Sequence, residues 1–142
     1  MQIRSFSAGD QSSVIELWRA CDLIRPWNEP VRDIERKLAV ADGLLLVGEL
    51  DGTVVATVMA GYEGHRGWVN YLAVHPDRQR RGLGRSLMRE VEVRLRALGC
   101  PKINLQVRTS NPDAIAFYER LGFAVDDAVS LGKRLVADVE TA

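Results

Sequence analysis

One stretch of this chain decides how the rest is arranged, and it reads Leu72-Ala73-Val74-His75-Pro76-Asp77-Arg78-Gln79-Arg80-Arg81-Gly82-Leu83-Gly84-Arg85. An apolar strand candidate runs into a loop with two glycines, and a helical pattern follows as far as Gly99. The first turn of a helix presents backbone N–H groups without partners at the positive end of the helix dipole. Because glycine has no Cβ, an anionic group can approach this backbone closely. The stretch therefore predicts a cradle for a phosphate or a pyrophosphate.

Arginines around the loop support that prediction. No acidic residue lies between Arg78 and Arg89, and the arginines of this span are Arg78, Arg80, Arg81, Arg85 and Arg89. A guanidinium donates two parallel hydrogen bonds to phosphate, although a run of charge can equally be a solvated face. A P-loop is excluded because its glycine–lysine motif is absent. The dinucleotide fingerprint fails because Leu87 stands where the third glycine belongs, which disfavours other nucleotide-phosphate proteins.

The run Gln79-Arg80-Arg81-Gly82-Leu83-Gly84 resembles the Q/R-x-x-G-x-G/A signature of the GNAT superfamily, the acetyl-coenzyme A-dependent N-acetyltransferases. The family also has a strand just before this signature, here Leu72-Ala73-Val74, and a later helix, here residues 111–123. The resemblance covers roughly residues 68–123. It implies an α/β (α+β) fold, with a mixed, mostly antiparallel sheet, one splayed parallel strand pair and about four flanking helices.

Composition restricts the classes of function. A length of 142 residues favours a single domain over residues 1–142, and 46% hydrophobic residues suffice for one core. Nineteen basic and nineteen acidic residues cancel, which argues against nucleic-acid and membrane partners. Two cysteines make no disulfide framework and suit a reducing cytoplasm. No metal is expected, because His75 has no second ligand near it in sequence. We also find no signal peptide and no apolar run long enough to span a membrane.

Hydrophobic periodicity predicts strands over residues 3–6, 44–49, 53–61, 68–74 and 102–107. Helices are predicted after the capping box at residues 7–10, from Pro30, over residues 82–98, and from Asn111. Leu38 and Leu98 are expected on the inward faces of the second and third helices. The order strand, helix, strand makes the last two of these strands parallel. Residues 123–125 and 129–136 are predicted as a closing antiparallel pair, followed by a frayed tail from Asp138.

The resemblance also implies roles for individual residues. Leu72, Ala73 and Val74 would offer backbone hydrogen bonds to the pantetheine arm, with the Val74 N–H polarising the thioester carbonyl. The pyrophosphate would be held by Gln79, Arg80, Arg81, Gly82, Leu83, Gly84 and Arg85. Asn111 would both cap its helix and contact the arm.

Tyr118 falls where the family places a tyrosine that protonates the coenzyme A thiolate. The alternative is a core aromatic residue, as is expected for its neighbour Phe117. The role is chemically reasonable, since a phenol with a pKa near 10 can donate a proton to a thiolate with a pKa of about 8.5.

The general base is left open. Some family members that acetylate protein N-termini carry a glutamate where this chain has Gln106, and an amide accepts no proton at neutral pH. Glu63, a water held by Asn70 or Tyr71, or no base at all remain as alternatives.

The predicted activity is transfer of an acetyl group from acetyl-coenzyme A to a primary amine of a small molecule, peptide or protein. The competing interpretation is a non-catalytic acyl-coenzyme A-binding sensor or regulatory module. A homodimer is possible for either.

Overall fold

A five-stranded sheet forms the centre of the computed structural model, which describes residues 1–138. The strands are β1 Gln2–Ser5, β2 Leu45–Leu50, β3 Thr53–Tyr62, β4 Gly67–Val74 and β5 Ile103–Leu105. They lie in the sheet in chain order. Neighbouring strands are antiparallel except β4 and β5, which are parallel. The predicted mixed sheet with one parallel pair is confirmed.

Four helices flank this sheet, as predicted: α1 Gln11–Ala20, α2 Pro30–Val40, α3 Leu83–Ala97 and α4 Pro112–Arg120. Single 3-10 turns, Ala8–Asp10 and Pro76–Arg78, precede α1 and α3. Local chemistry explains the starts of α2 and α4. The Glu29 carboxylate accepts the Arg32 backbone N–H at 2.8 Å, and Asn111 Oδ1 accepts that of Ala114 at 3.2 Å. A proline follows each cap, where its missing N–H breaks no helical hydrogen bond.

The helices cover both faces of the sheet. On one face, α3 buries a stripe at helical spacing against the inner residues of β2, β3 and β4; the stripe consists of Leu87, Met88, Val91 and Leu95. On the other face, α1 and α2 bury Val14, Leu17, Trp18 and Ile34. Leu38 and Leu98 are exposed, so the prediction that they face inward is wrong. Leu98 is the C-cap that follows α3 and lies past its buried stripe.

The parallel pair is short. β5 pairs only with the first part of β4, where Gly67, Trp68 and Val69 lie opposite Ile103–Leu105. β4 continues to Val74, and within residues 1–138 no strand pairs with this second half on the β5 side. The space that opens between β4 and β5 beyond Val69 and Leu105 is called the strand gap below. Its β4 side is an open sheet edge, whose backbone groups pair with no strand of residues 1–138 on that side.

The predicted closing strand pair is wrong. Residues 124–138, called the C-terminal segment below, contain no strand. The segment contacts β5 through side chains, because Asp126 accepts hydrogen bonds from Lys102 Nζ at 3.0 Å and from Asn104 Nδ2 at 2.9 Å. Aspartate, glycine and lysine disfavour strands and interrupt the apolar alternation here. Val129 and Leu131 are consequently 85% and 91% exposed.

The C-terminal segment ends on α2. The buried Asp138 carboxylate accepts hydrogen bonds from the Glu29 backbone N–H at 3.1 Å and from Arg36 Nη2 at 2.6 Å. The Arg36 guanidinium and these hydrogen bonds lower the pKa of Asp138 to about 2. The prediction of a frayed tail is therefore wrong at Asp138, and residues 139–142 lie outside the described part of the chain.

Candidate active site

A β-bulge interrupts β4 beside the strand gap. Met59 of β3 pairs with Asn70 and Thr57 pairs with Ala73, so two residues of β4, Tyr71 and Leu72, lie opposite a single residue of β3. Tyr71 has a backbone φ of +52°, a conformation that large side chains rarely adopt. Such strain costs on the order of 1–3 kcal/mol and persists only where surrounding contacts enforce it.

The bulge lies next to open backbone donors. The His75 N–H donates to the Val55 carbonyl at 2.8 Å, which sets the alternation of hydrogen bonds between β3 and β4. Ala73 is therefore bonded to β3, whereas the N–H groups of Leu72 and Val74 point away from β3. Both N–H groups lie on the side of the strand gap.

Two side chains fix the carbonyl of Val74 at the end of β4. It accepts a hydrogen bond from Gln79 Nε2 at 3.0 Å and another from the Cys21 thiol at 3.2 Å. Burial raises the pKa of this thiol, so Cys21 stays neutral at physiological pH and acts as a donor. Gln79 thus connects the loop before α3 to β4.

The N-terminus of α3 has no side-chain cap, in contrast to α2 and α4. Its N-cap, Gly82, has a φ of +79°, where a side chain would add strain. Gly84 lies in the first turn, and a Cβ there would be 3.3 Å from the Phe117 ring and 3.6 Å from the Val74 side chain. The open end of α3, the helix α4 and the end of β4 therefore meet at one point.

Positive charge surrounds this open helix end. Arg80, Arg81 and Arg85 are exposed, and within residues 1–138 no carboxylate forms an ion pair with them. Arg80 has a φ of +63° in the loop before the helix. Uncapped N–H groups, a helix dipole and free guanidinium groups together favour an anion here.

Tyr118 lies in α4, packed edge-on against Phe117 and Phe123 with ring centroids 5.1 Å and 5.6 Å away. Burial raises the pKa of Tyr118 to about 12. Its hydroxyl therefore keeps its proton at neutral pH and can donate that proton but not accept another.

Two loops meet beside the strand gap. Trp27, in the loop between α1 and α2, is 49% exposed, and the Arg108 guanidinium lies 5.5 Å from the centre of its ring. Arg108 follows β5, so this contact joins the loops on the two sides of the gap. Asn28 Oδ1 also accepts a hydrogen bond from Arg134 of the C-terminal segment at 2.7 Å.

The geometry reduces the set of candidate bases. Glu63 lies in the turn before β4, where it accepts the Arg66 N–H at 2.8 Å. The length of β4 puts that turn about 23 Å from Val74, too far for a base acting there. The Gln106 amide hydrogen-bonds the Ser130 hydroxyl. Asn70 is exposed on β4.

Sequence reasoning missed the contacts of Tyr71. Its hydroxyl donates to Asp33 Oδ2 at 2.6 Å, and burial together with Asp33 raises its pKa far above the usual value. Its ring stacks on Trp18 with centroids 3.8 Å apart. Its carbonyl accepts from Thr57 Oγ1 at 3.0 Å. No sequence motif joins these residues, which come from α1, α2 and β3.

Two further features are absent from the described residues. Within residues 1–138, no helix is long and apolar enough to cross a bilayer. The same part of the chain holds no cluster of three histidine, cysteine or acidic residues suited to a metal ion.

The parallel strand pair and the uncapped N-terminus of α3 agree with the features that the resemblance to the GNAT superfamily predicts. The chain belongs to the acetyltransferase (GNAT) family, whose sequence model matches residues 12–123. An acetyltransferase of Yersinia pestis is 50% identical over 140 residues, which is 99% of each chain. The chain is accordingly an acetyltransferase.

Solved structures have the same fold. The PaiA N-acetyltransferase of Thermoplasma acidophilum, solved in complex with coenzyme A, matches with a TM-score of 0.78 at 19% identity, over 90% of this chain and 92% of that one. The ribosomal-protein-S18-alanine N-acetyltransferase of Escherichia coli matches with a TM-score of 0.69 at 29% identity, over 85% and 76% of the two chains.

Proposed function

We propose that this protein transfers an acetyl group from acetyl-coenzyme A to a primary amine of a small molecule, a peptide or a protein. One observation carries the proposal: the open N–H groups of Leu72 and Val74 lie beside the uncapped N-terminus of α3. An extended thioester arm needs backbone donors along its length, and its pyrophosphate needs an anion site at one end. The described geometry supplies both next to each other.

The binding part of the proposal concerns the loop and first turn of α3. The pyrophosphate is held by Gln79, Arg80, Arg81, Gly82, Leu83, Gly84 and Arg85. The pantetheine arm lies in the strand gap along Leu72, Ala73 and Val74, with most support for Leu72 and Val74. Asn111 adds a contact, because its Oδ1 caps α4 while its amide N–H groups stay available.

The chemical step is attack of a neutral amine on the thioester carbonyl carbon. As the new C–N bond forms, the carbonyl oxygen becomes negative, and the Val74 N–H stabilises it. The C–S bond then breaks and the thiolate takes a proton from the Tyr118 hydroxyl. The nitrogen releases its extra proton to solvent or to a base that we leave unassigned, and solvent returns a proton to the Tyr118 oxygen. The products are an N-acetylated amine and coenzyme A.

The raised pKa of Tyr118, about 12, means that its hydroxyl is protonated at neutral pH and available as a donor. Transfer to a thiolate whose conjugate thiol has a pKa of about 8.5 in water would be uphill. In a shared desolvated site, however, burial destabilises both anions and raises the pKa of the thiol as well. The difference between the pKa of Tyr118 and the pKa of the coenzyme A thiol is therefore smaller in the site than it would be with the thiol in water.

The acceptor class stays open between small molecules and peptides. The Escherichia coli neighbour acts, by its name, on an alanine of ribosomal protein S18. This chain has Gln106 where some N-terminal acetyltransferases carry a glutamate, so that substrate does not carry over. The predicted single domain over residues 1–142, the cytoplasmic location, a possible homodimer and the absence of a metal, nucleic-acid or membrane partner stay predictions.

A panel of amines and peptides tests the proposal. Free thiol release from acetyl-coenzyme A should rise with at least one acceptor, and mass spectrometry should find an acetyl group on its nitrogen. The Gly82→Val variant serves as the control with an impaired anion site. Tight coenzyme A binding without turnover on any acceptor would contradict catalysis and favour a sensor module.

A further inference from the structure

Tyr71 is held by more contacts than packing alone requires. Its ring lies parallel to the Trp18 ring, with 12° between the planes, on the face of the sheet covered by α1 and α2. Its hydroxyl is bonded to Asp33 of α2. A phenylalanine would fill the same space and leave no carboxylate to desolvate. The polar end of Tyr71 therefore calls for another explanation.

The backbone of Tyr71 is held as well. Its carbonyl accepts the Thr57 hydroxyl at 3.0 Å, and Thr57 Oγ1 in turn accepts Trp18 Nε1–H at 2.9 Å. Trp18 and Thr57 are both fully buried. Three elements, α1, α2 and β3, thus contact one residue at its ring, its hydroxyl and its carbonyl. Such a set can maintain an unfavourable φ.

The residue held in this way precedes the open donors. A rotation about the Tyr71 backbone would turn the next peptide and change where the N–H groups of Leu72 and Val74 point. An N–H aimed at a developing oxyanion loses most of its effect when it is misplaced by about 1 Å. The contacts of Tyr71 therefore act on the part of β4 that faces the strand gap.

We propose that Trp18, Asp33 and Thr57 are positioning residues, which hold Tyr71 in the bulge and thereby aim the open N–H groups at the thioester carbonyl. This inference rests on the proposed function. It adds three residues from outside the proposed coenzyme A site. Their role is to set the direction of the N–H group that polarises the thioester carbonyl.

The test uses the infrared carbonyl stretch of acetyl-coenzyme A labelled with ¹³C at the carbonyl. Binding to the unaltered protein should lower the stretching frequency, because a hydrogen bond polarises the carbonyl. In Tyr71→Phe and Thr57→Val the shift should fall to half or less, and kcat should fall by about tenfold to a hundredfold. Affinity for coenzyme A, which lacks the carbonyl, should stay within about twofold.

Conservative variants and a control complete the design. Thr57→Ser keeps the hydroxyl and should keep the frequency shift of the unaltered protein. Asp33→Asn keeps an acceptor oxygen, so its frequency shift and kcat should fall less than those of Asp33→Ala. Tyr62→Phe removes a hydroxyl whose hydrogen bond, within residues 1–138, is to the Gly64 carbonyl, and it should leave the frequency shift and kcat unchanged. Should Tyr71→Phe fail to fold, Thr57→Val and Asp33→Ala carry the same test.

Two negative results are distinguishable. If the variants lose melting temperature but keep both the frequency shift and kcat, the contacts are structural and the inference is overturned while the proposed function stands. If the unaltered protein neither binds acetyl-coenzyme A nor shifts its carbonyl, the proposed function fails, and this inference fails with it.

Discussion

At the scale of single residues, Tyr118 and Tyr71 show that two buried tyrosines can differ in the partners of their hydroxyl groups. Burial raises the pKa of each phenol, so both keep their protons at neutral pH. The Tyr71 hydroxyl is committed to Asp33, whereas Tyr118 contacts aromatic rings. Of the two, Tyr118 is the one left for the proton-donor role that we propose.

Removing the Tyr118 hydroxyl tests that division. Tyr118→Phe keeps the ring and its contacts with Phe117 and Phe123, so the fold should persist. If the hydroxyl protonates the thiolate, kcat should fall by roughly 10²- to 10⁴-fold, the usual range for a positioned general acid. Coenzyme A affinity should change by less than about tenfold, since one hydrogen bond contributes about 1 kcal/mol. Steady-state kinetics and titration calorimetry, with Tyr62→Phe as the control, decide the matter. An unchanged kcat would leave Tyr118 as a core residue.

At the scale of elements, α3 was the part most accessible to sequence reasoning. The glycines, the arginines and the apolar stripe are all local signals, and they placed the helix and its crossover between parallel strands. The bulge in β4 gave no such signal, because it depends on which residues of β3 lie opposite. Likewise, the apolar residues of the C-terminal segment predict strands that do not form. Aspartate, glycine and lysine interspersed among them disfavour strand pairing, and the side-chain bonds from Asp126 to β5 are contacts that no local pattern contains.

Two glycines that flank α3 provide a matched pair of positions for testing the role of its N-terminus. Gly82 and Gly99 have φ values of +79° and +87°, and a Cβ would meet no atom within 4 Å at either position. A valine at either site should therefore destabilise the fold similarly, by about 1–2 kcal/mol. Only Gly82→Val should weaken coenzyme A binding, because Gly99 lies at the opposite end of the helix. Calorimetry showing equal affinity for both variants would contradict the anion site.

The arginines can be tested by salt. If Arg80, Arg81 or Arg85 contacts phosphate, coenzyme A affinity should fall with ionic strength more steeply than the affinity of a pantetheine analogue without phosphates. Replacing each arginine by glutamine should flatten the slope for coenzyme A. Arg96, exposed near the far end of α3, is the control position. Equal slopes for both ligands would argue against any phosphate contact.

At the scale of the whole molecule, the C-terminal segment joins the two edges of the site. It bonds β5 through Asp126, the loop after α1 through Arg134, and α2 through Asp138. α2 in turn carries Asp33, so the end of the described chain helps to fix the helix that contacts Tyr71. The contacts of Arg134 and Asp138 do not follow from the sequence, since residues more than 100 positions apart form them.

Acid titration tests the contact at Asp138. Its pKa is lowered from the usual value of 3.8 to about 2, so the folded protein binds fewer protons at this carboxylate than the unfolded chain does. The resulting stabilisation is complete above about pH 5 and is lost as the pH falls towards 2. Asp138→Asn should thus unfold at a lower denaturant concentration than the unaltered protein near neutral pH. This difference in the unfolding midpoint should vanish near pH 2. Asp127→Asn, exposed on the same segment, is the control. A difference that does not depend on pH would contradict the ion pair with Arg36.

The order of the strands in the sheet has a consequence for folding during synthesis. Each strand pairs with the strand that precedes it in the chain, so the sheet can grow at one edge while synthesis proceeds. Once Val74 has emerged, a four-stranded meander already has all its partners. The strand gap, the open end of α3 and the tyrosine of α4 follow later. A nascent chain interrupted before Ile103 could hold four of the five strands yet lack the strand gap, so the site that we propose for the thioester would form only after most of the sheet.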